Sequence, residues 1–195
     1  MTISYLICIA AGFLMGSIMF SQILPEKLMG TDIQQISDDH NPGATNVFVN
    51  CGATMGMICL SLDIMKGFLP VFLAFKFISS DNLWFSLVMA APVLGHAMGM
   101  FRNFHGGKCI ATAFGVMLGI FPVQRIGLLL LAVLYIFFST VVKIHPNRIR
   151  SIVVFSLFGL SSALLLSYMG DYGIGLGCVL VALIAIVKHT KYFCK

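Results

Sequence analysis

Seven apolar runs separated by polar stretches organise the chain: Ile3 to Leu24, Ala53 to Phe75, Leu83 to Met100, Ile110 to Phe121, Ile126 to Val142, Ile152 to Tyr168 and Ile174 to Val187. About 17 to 25 apolar residues is the length at which an α-helix crosses the hydrocarbon core of a bilayer. Several runs meet that length, whereas the fourth is short and predicts a helix that is tilted, re-entrant or reliant on its flanking residues. The pattern predicts an all-α integral membrane protein of seven transmembrane helices, forming a single domain over residues 1–195. No internal repeat, low-complexity tract or Pro/Ser-rich linker divides it.

Composition sets the solvent. Hydrophobic residues make up 59% of the chain and charged ones 10%, and the mean hydropathy is +0.99, which excludes an ordinary water-soluble surface. Charge then sets the orientation. With seven spans, Lys27, Arg102, Lys108, Lys143, Arg148, Arg150, Lys188, Lys191 and Lys195 fall on one side, and Lys76 and Arg125 on the other, with Lys66 inside a span. This positive-inside bias predicts an N-terminus outside, a C-terminus in the cytoplasm and a cytoplasmic loop around Lys108. No Lys or Arg precedes the first apolar run, so the basic start of a cleaved signal peptide is missing and the first span is expected to be retained. The net charge of +5 comes from these cytoplasmic ends and forms no basic stripe, which argues against a nucleic-acid partner. Cys8, Cys51, Cys59, Cys109, Cys178 and Cys194 stand singly, without C-x-x-C or Cys/His metal spacing, and read as packing residues.

Two polar interruptions carry the candidate chemistry. Phe104 to Thr112 sets Gly106, Gly107 and Lys108 between apolar runs. Glycines allow close backbone approach to an anion, a helix N-terminus adds partial positive charge and Lys108 a full one, so the segment is either a phosphate site or a surface turn whose lysine enforces topology. The longest interruption, Pro25 to Gly52, is expected to be a cytoplasmic loop. Its Asn41, Pro42, Gly43, Ala44, Thr45 and Asn46 supply either ligand-binding groups or a tight turn, and Asp38 and Asp39 either solvated charges or a helix cap. Within the second span, Asp63 and Lys66 are three residues apart and share a helix face. Charges at that depth line a polar pocket or pair to hold helices together. His96 is open between a packed residue and a ligand contact.

Taken together, Gly16-Ser17-Ile18, Asn41 to Val47, Asp63-Ile64-Met65-Lys66-Gly67, Gly95-His96, Gly106 to Thr112 and Lys188-His189 resemble the bacterial acyl-phosphate:glycerol-3-phosphate acyltransferases over nearly the whole chain, as a divergent member. The resemblance implies seven spans, an outside N-terminus and an active site on the cytoplasmic face of the bacterial cell membrane. It also implies transfer of a fatty acyl group from acyl phosphate to the 1-hydroxyl of glycerol 3-phosphate, giving lysophosphatidic acid for phospholipid biosynthesis. The partners expected are acyl phosphate, glycerol 3-phosphate and membrane lipids, with no cofactor and no metal. Lys108 and His189 take the catalytic roles. Asn41, Gly43, Thr45, Asn46, Lys66, Gly106, Gly107 and Ser151 take the substrate-binding ones. An acyl phosphate is already activated and its departing phosphate can accept a proton, so no protein nucleophile is needed. In agreement, neither an H-x-x-x-x-D motif nor a G-x-S-x-G elbow occurs.

The departures from the family pattern are specific. Asp39 stands where the family usually reads serine, Val49 where an arginine commonly follows Val-Phe, and His105 and Cys109 replace a lysine and a glycine around Gly106-Gly107-Lys108. The basic-His-Arg-x-Asn-Ile signature is reduced to Lys188-His189-Thr190-Lys191-Tyr192-Phe193. An ionised Asp39 repels an anionic substrate unless it is turned away or neutralised. The alternatives are a divergent member with another acceptor or no catalysis and, from a different class, a small membrane transporter.

Overall fold

A computed structural model of the chain describes residues 2–190. The expectations attached to Lys191, Tyr192, Phe193, Cys194 and Lys195 lie outside the described residues. Among those described, the regular elements are helices: α1 (Thr2–Gly16), α2 (Phe20–Met29), α3 (Ile33–Ile36), α4 (Ala44–Phe77), α5 (Trp84–Met98), α6 (Ile110–Gly119), α7 (Ile126–Thr140), α8 (Asn147–Tyr168) and α9 (Tyr172–His189), with one 3₁₀ turn after α5. Five segments are long and apolar enough to cross a bilayer: Thr2–Met29, Ala44–Phe77, Trp84–Arg102, Asn147–Tyr168 and Tyr172–His189. The fourth and fifth apolar runs form α6 and α7, which at 10 and 15 residues are about 15 and 22 Å long.

The first apolar run is a broken helix. The chain leaves the helical path between α1 and α2, with Met19 at φ −94° and ψ 75°. A break at this depth exposes backbone groups that lipid cannot satisfy. Ser17 Oγ donates to Phe13 O at 2.8 Å, and Lys66 Nζ reaches the Ile18 carbonyl at 2.5 Å.

The polar segment expected as a loop from Pro25 to Gly52 is largely helical. Asp32 caps α3 by accepting from the Gln34 and Gln35 N–H groups, and α4 starts at Ala44 and bends at Gly52, whose φ of +85° favours glycine. Apolar side chains scattered through this stretch drive the difference. Ile33, Ala44, Val47 and Cys59 are buried together, with Leu24, Cys51, Met55 and Leu60 against them, so the segment folds back onto the bundle.

Small residues bring the helices close. A Cβ on Gly16 would lie 2.1 Å from Pro92 O, and one on Gly95 2.1 Å from Phe13 O, locking α1 to α5. Gly67 and Gly115 do the same for α4 and α6, against Thr112 O at 2.2 Å and Ile64 O at 2.0 Å. In lipid, where no hydrophobic force draws helices together, such backbone contact is what dispersion needs. The core holds Phe85, Val88, Met89, Phe155, Phe158 and Leu166, while Ile7, Val133, Ile136, Leu160 and Leu164 face outward. The start of α1 meets the α4–α5 turn through Tyr5 Oη to Ser79 O at 2.8 Å. At the opposite end, Arg102 pairs with Glu26 at 2.9 Å. That second end carries the site.

Candidate functional site

Four chain segments converge there: the turn into α4, the turn into α6, the first turn of α8 and the last turn of α9. They enclose a cavity of about 450 Å³. Its lining combines polar side chains, among them Asp39, Asn41, Lys108, Arg148, Ser151 and His189, with the apolar Leu60, Ile64, Phe114 and Tyr135. A second, shallower opening of about 720 Å³ lies outside it and shares Asp39, Asn41 and Lys108. The ends of α4 and α8 facing the cavity are helix N-termini without side-chain caps, so they add positive potential to that of the cations.

Lys108 and Asp39 form an ion pair at 2.5 Å between residues 69 positions apart. Asp39 accepts also from Asn46 Nδ2 at 2.8 Å and from the Asn41 N–H at 3.2 Å. Burial pushes its carboxyl upward, but Lys108, Asn46 and the Asn41 N–H outweigh that and hold it below the usual carboxylate range. Asn46 Nδ2 donates to Asn41 O as well, at 2.8 Å. The Asp39 charge is thus neutralised, and it ties the α4 turn to the α6 turn.

His189 is buried, and its Nδ1 lies 2.7 Å from Ala185 O. A carbonyl can only accept, so Nδ1 carries the proton and Nε2 is the basic nitrogen. Arg148 Nε donates to the His189 carbonyl and so fastens α8 to α9. Ser151 is buried on the cavity wall with its Oγ donating to Asn147 O at 3.0 Å.

Of the residues singled out from sequence, Asn41, Gly43, Thr45, Asn46, Lys108, Ser151 and His189 border this one cavity. Lys66 does not. It is buried, 2.8 Å from Asp63 Oδ1, with Ser21 Oγ donating to Asp63 Oδ2 at 2.6 Å; Asp63 rather than Lys66 borders the cavity. The two glycines also differ from expectation. The Gly107 N–H donates to His96 O at 3.0 Å, and a Cβ on Gly106 would lie 2.2 Å from Ala97 O and one on Gly107 2.4 Å from His96 Nε2. They are small because the loop is pressed onto the end of α5, and Gly106 borders only the outer opening. Cys109 takes φ +68°, a left-handed conformation costing about 1–2 kcal/mol at a non-glycine. Its buried thiol contacts Gly107 O and Val93 O.

Sequence reasoning missed Asn147, Phe114 and Tyr135, which border the cavity. Phe114 and Tyr135 sit in apolar runs where nothing distinguishes a lining ring from a packed one. Among the described residues, no group of His, Cys, Asp or Glu could hold a metal ion.

Fold and site together define the class: a helical integral membrane protein with a cation-lined, half-apolar chamber at one end of its bundle. Residues 6–194 match the glycerol-3-phosphate acyltransferase family, and the chain belongs to it. It is 34% identical to the glycerol-3-phosphate acyltransferase of Hydrogenobaculum sp. (strain Y04AAS1) over 91% of this chain and 86% of that protein. Against the Thermotoga petrophila enzyme of that name it is 43% identical, over 54% of this chain and 53% of the relative. Its fold resembles the crystal structure of PlsY (YgiH), an integral membrane glycerol 3-phosphate acyltransferase. The glycerol 3-phosphate form gives a TM-score of 0.78 at 29% identity, covering 95% of this chain and 88% of that one. The lysophosphatidic acid form gives 0.76 at 27%, covering 96% and 89%.

Proposed function

We propose that the chain is a membrane glycerol-3-phosphate acyltransferase that takes its acyl group from acyl phosphate and works at the cytoplasmic face of a bacterial cell membrane. The observation that carries this reading is a cavity lined both by Lys108, Arg148 and Arg150 and by Leu60, Ile64, Phe114 and Tyr135. Both substrates bear phosphate, and the donor and product also bear a fatty chain. A site with both charged and apolar lining accommodates both.

In the proposed reaction the 1-hydroxyl oxygen of glycerol 3-phosphate attacks the acyl carbonyl carbon. The bond from that carbon to the phosphate oxygen breaks, and inorganic phosphate departs with the hydroxyl proton. Lys108 stabilises the negative charge that grows on the reacting oxygens. His189, with Nε2 as its basic nitrogen, receives a hydrogen bond from the hydroxyl and orients it. Asn41, Thr45 and Asn46 hold the acceptor at the α4 N-terminus, where Gly43 admits the close turn, and Ser151 contributes a hydroxyl from α8. Lys66, Gly106 and Gly107 serve this site indirectly, by fixing the α1–α2 break and the Lys108 loop.

The same reading takes α6 and α7 as membrane crossings, tilted or shortened by the site they border. Seven crossings place the N-terminus outside and the C-terminus in the cytoplasm. The cavity end then carries Lys27, Arg102, Lys108, Lys143, Arg148, Arg150 and Lys188, against Lys76 and Arg125 at the other end, in keeping with the positive-inside rule.

The test is phosphate release by purified protein given palmitoyl phosphate, with and without glycerol 3-phosphate, alongside Lys108→Ala. Release that needs both glycerol 3-phosphate and Lys108 is the expected result. Retained turnover in the folded variant sinks the role of Lys108, and no acceptor dependence in the parent points to another hydroxyl acceptor.

A further inference from the structure

We propose that Arg150 is the residue that binds the phosphate head of the acyl donor, beside the Tyr135 and Phe114 rings of the cavity lining. Four other cations near this end of the bundle have commitments. Lys66 is held by Asp63 and the Ile18 carbonyl, Lys108 by Asp39, Arg102 by Glu26, and Arg148 gives its Nε to the His189 carbonyl. Arg150 borders the cavity, and its Nε is buried with no hydrogen-bond partner among the described residues. Burying a guanidinium N–H without an acceptor is costly, and a turn of the side chain that brings the guanidinium onto an anion in the cavity removes that cost.

The position of Arg150 selects which anion. Its guanidinium lies 5.4 Å from the centre of the Tyr135 ring, and Tyr135 meets Phe114 edge to face at 5.9 Å. Both rings line the cavity, and so does Ser151, the next residue along the chain. An acyl phosphate has the matching build, a dianionic head joined directly to a hydrocarbon chain. With its head in the planar fork of Arg150, the chain starts along Tyr135 and Phe114. Glycerol 3-phosphate has no chain, and gains nothing from those rings.

This inference rests on acyl phosphate being the donor, and a calorimetric titration of the detergent-purified full chain separates the two. The probe is hexadecylphosphonate, a head and chain with no acyl bond to transfer, titrated into the parent, Arg150→Gln and Arg150→Lys. Glycerol 3-phosphate is titrated in parallel and reports whether each variant is intact. Arg150→Gln is expected to weaken hexadecylphosphonate about tenfold or more, Arg150→Lys by less, and glycerol 3-phosphate by under about twofold in both. Hexadecylphosphonate binding that is absent from the parent, or unchanged in Arg150→Gln, overturns the assignment. So does a loss confined to glycerol 3-phosphate, which moves Arg150 to the acceptor. Should the probe bind through Arg150 while the parent releases no phosphate from palmitoyl phosphate, the donor reading fails and the head-and-chain site stands.

Discussion

Two aspartate–lysine pairs in this molecule use the same chemistry for opposite ends. Asp63 and Lys66 sit one turn apart on α4, buried, with Ser21 and the Ile18 carbonyl filling their remaining positions. Asp39 and Lys108 come from loops 69 positions apart and remain partly exposed, 45% for the aspartate and 25% for the lysine. The first pair satisfies a break in a membrane helix and has no route to a ligand for its lysine. The second lies between two openings, where a substrate phosphate can compete for the lysine. Burial, rather than residue type, separates a structural pair from one that can exchange partners.

The comparison breaks most visibly at the buried pair. Lys66→Met leaves Asp63 uncompensated and the Ile18 carbonyl without its donor, so a loss of about 3–5 kcal/mol is expected. Thermal unfolding in detergent reads it, and Asp63→Asn combined with Lys66→Met should recover a substantial part. If Lys66→Met melts like the parent, the pair is not holding the α1–α2 break. Lys108→Ala should do the reverse, lowering turnover by about 10²–10³-fold with an almost unchanged melting temperature, because a half-exposed pair contributes little to stability.

Asp39→Ser sharpens the contrast with a smaller effect. Freed of its internal anion, Lys108 should lower the KM for glycerol 3-phosphate by up to about fivefold, since an exposed pair gives way for only a modest cost. An increase in KM would mean that Asp39 positions the lysine more than it competes for it. The smallest effect concerns pH. Because the Asp39 carboxyl is held below its ordinary value, the stability drawn from its pair is complete above an unfolded-state pKa of about 3.9 and is lost only as pH falls through the lower folded value. Parent and Asp39→Asn should therefore show pH–rate profiles of the same shape between pH 5 and 8. A limb present in the parent alone contradicts that placement.

Much of the site was legible because the resemblance ran through short motifs in a fixed order. Asn41, Thr45, Asn46, Lys108, Ser151 and His189 stand in four separate stretches of the sequence, and the fold brings them to one cavity. Other residues take a different place in the fold for identifiable reasons. Gly106 and Gly107 read as an anion cradle because glycine beside lysine suits one, yet the same glycines are demanded by the α5 backbone and His96 pressing on them. Lys66 was balanced between pocket and ion pair, since three-residue spacing shows that Asp63 can reach it but not which of the two faces the cavity.

Hydropathy alone determined that this chain lies in a membrane, that its regular structure is helical and where its apolar segments fall, because without water a backbone must satisfy its own hydrogen bonds. The spacing of positive residues between those segments is likewise a property of order along the chain. The tertiary structure decided the rest. It broke the first run into α1 and α2, turned the polar Pro25–Gly52 stretch into helix by burying Ile33 and Val47, and set Asp39 against Lys108 to neutralise what reads as a repelling charge. It also left Arg150 at the junction with Tyr135. These outcomes depend on which side chains from distant segments meet, and a distance between distant residues is not written in the order of either.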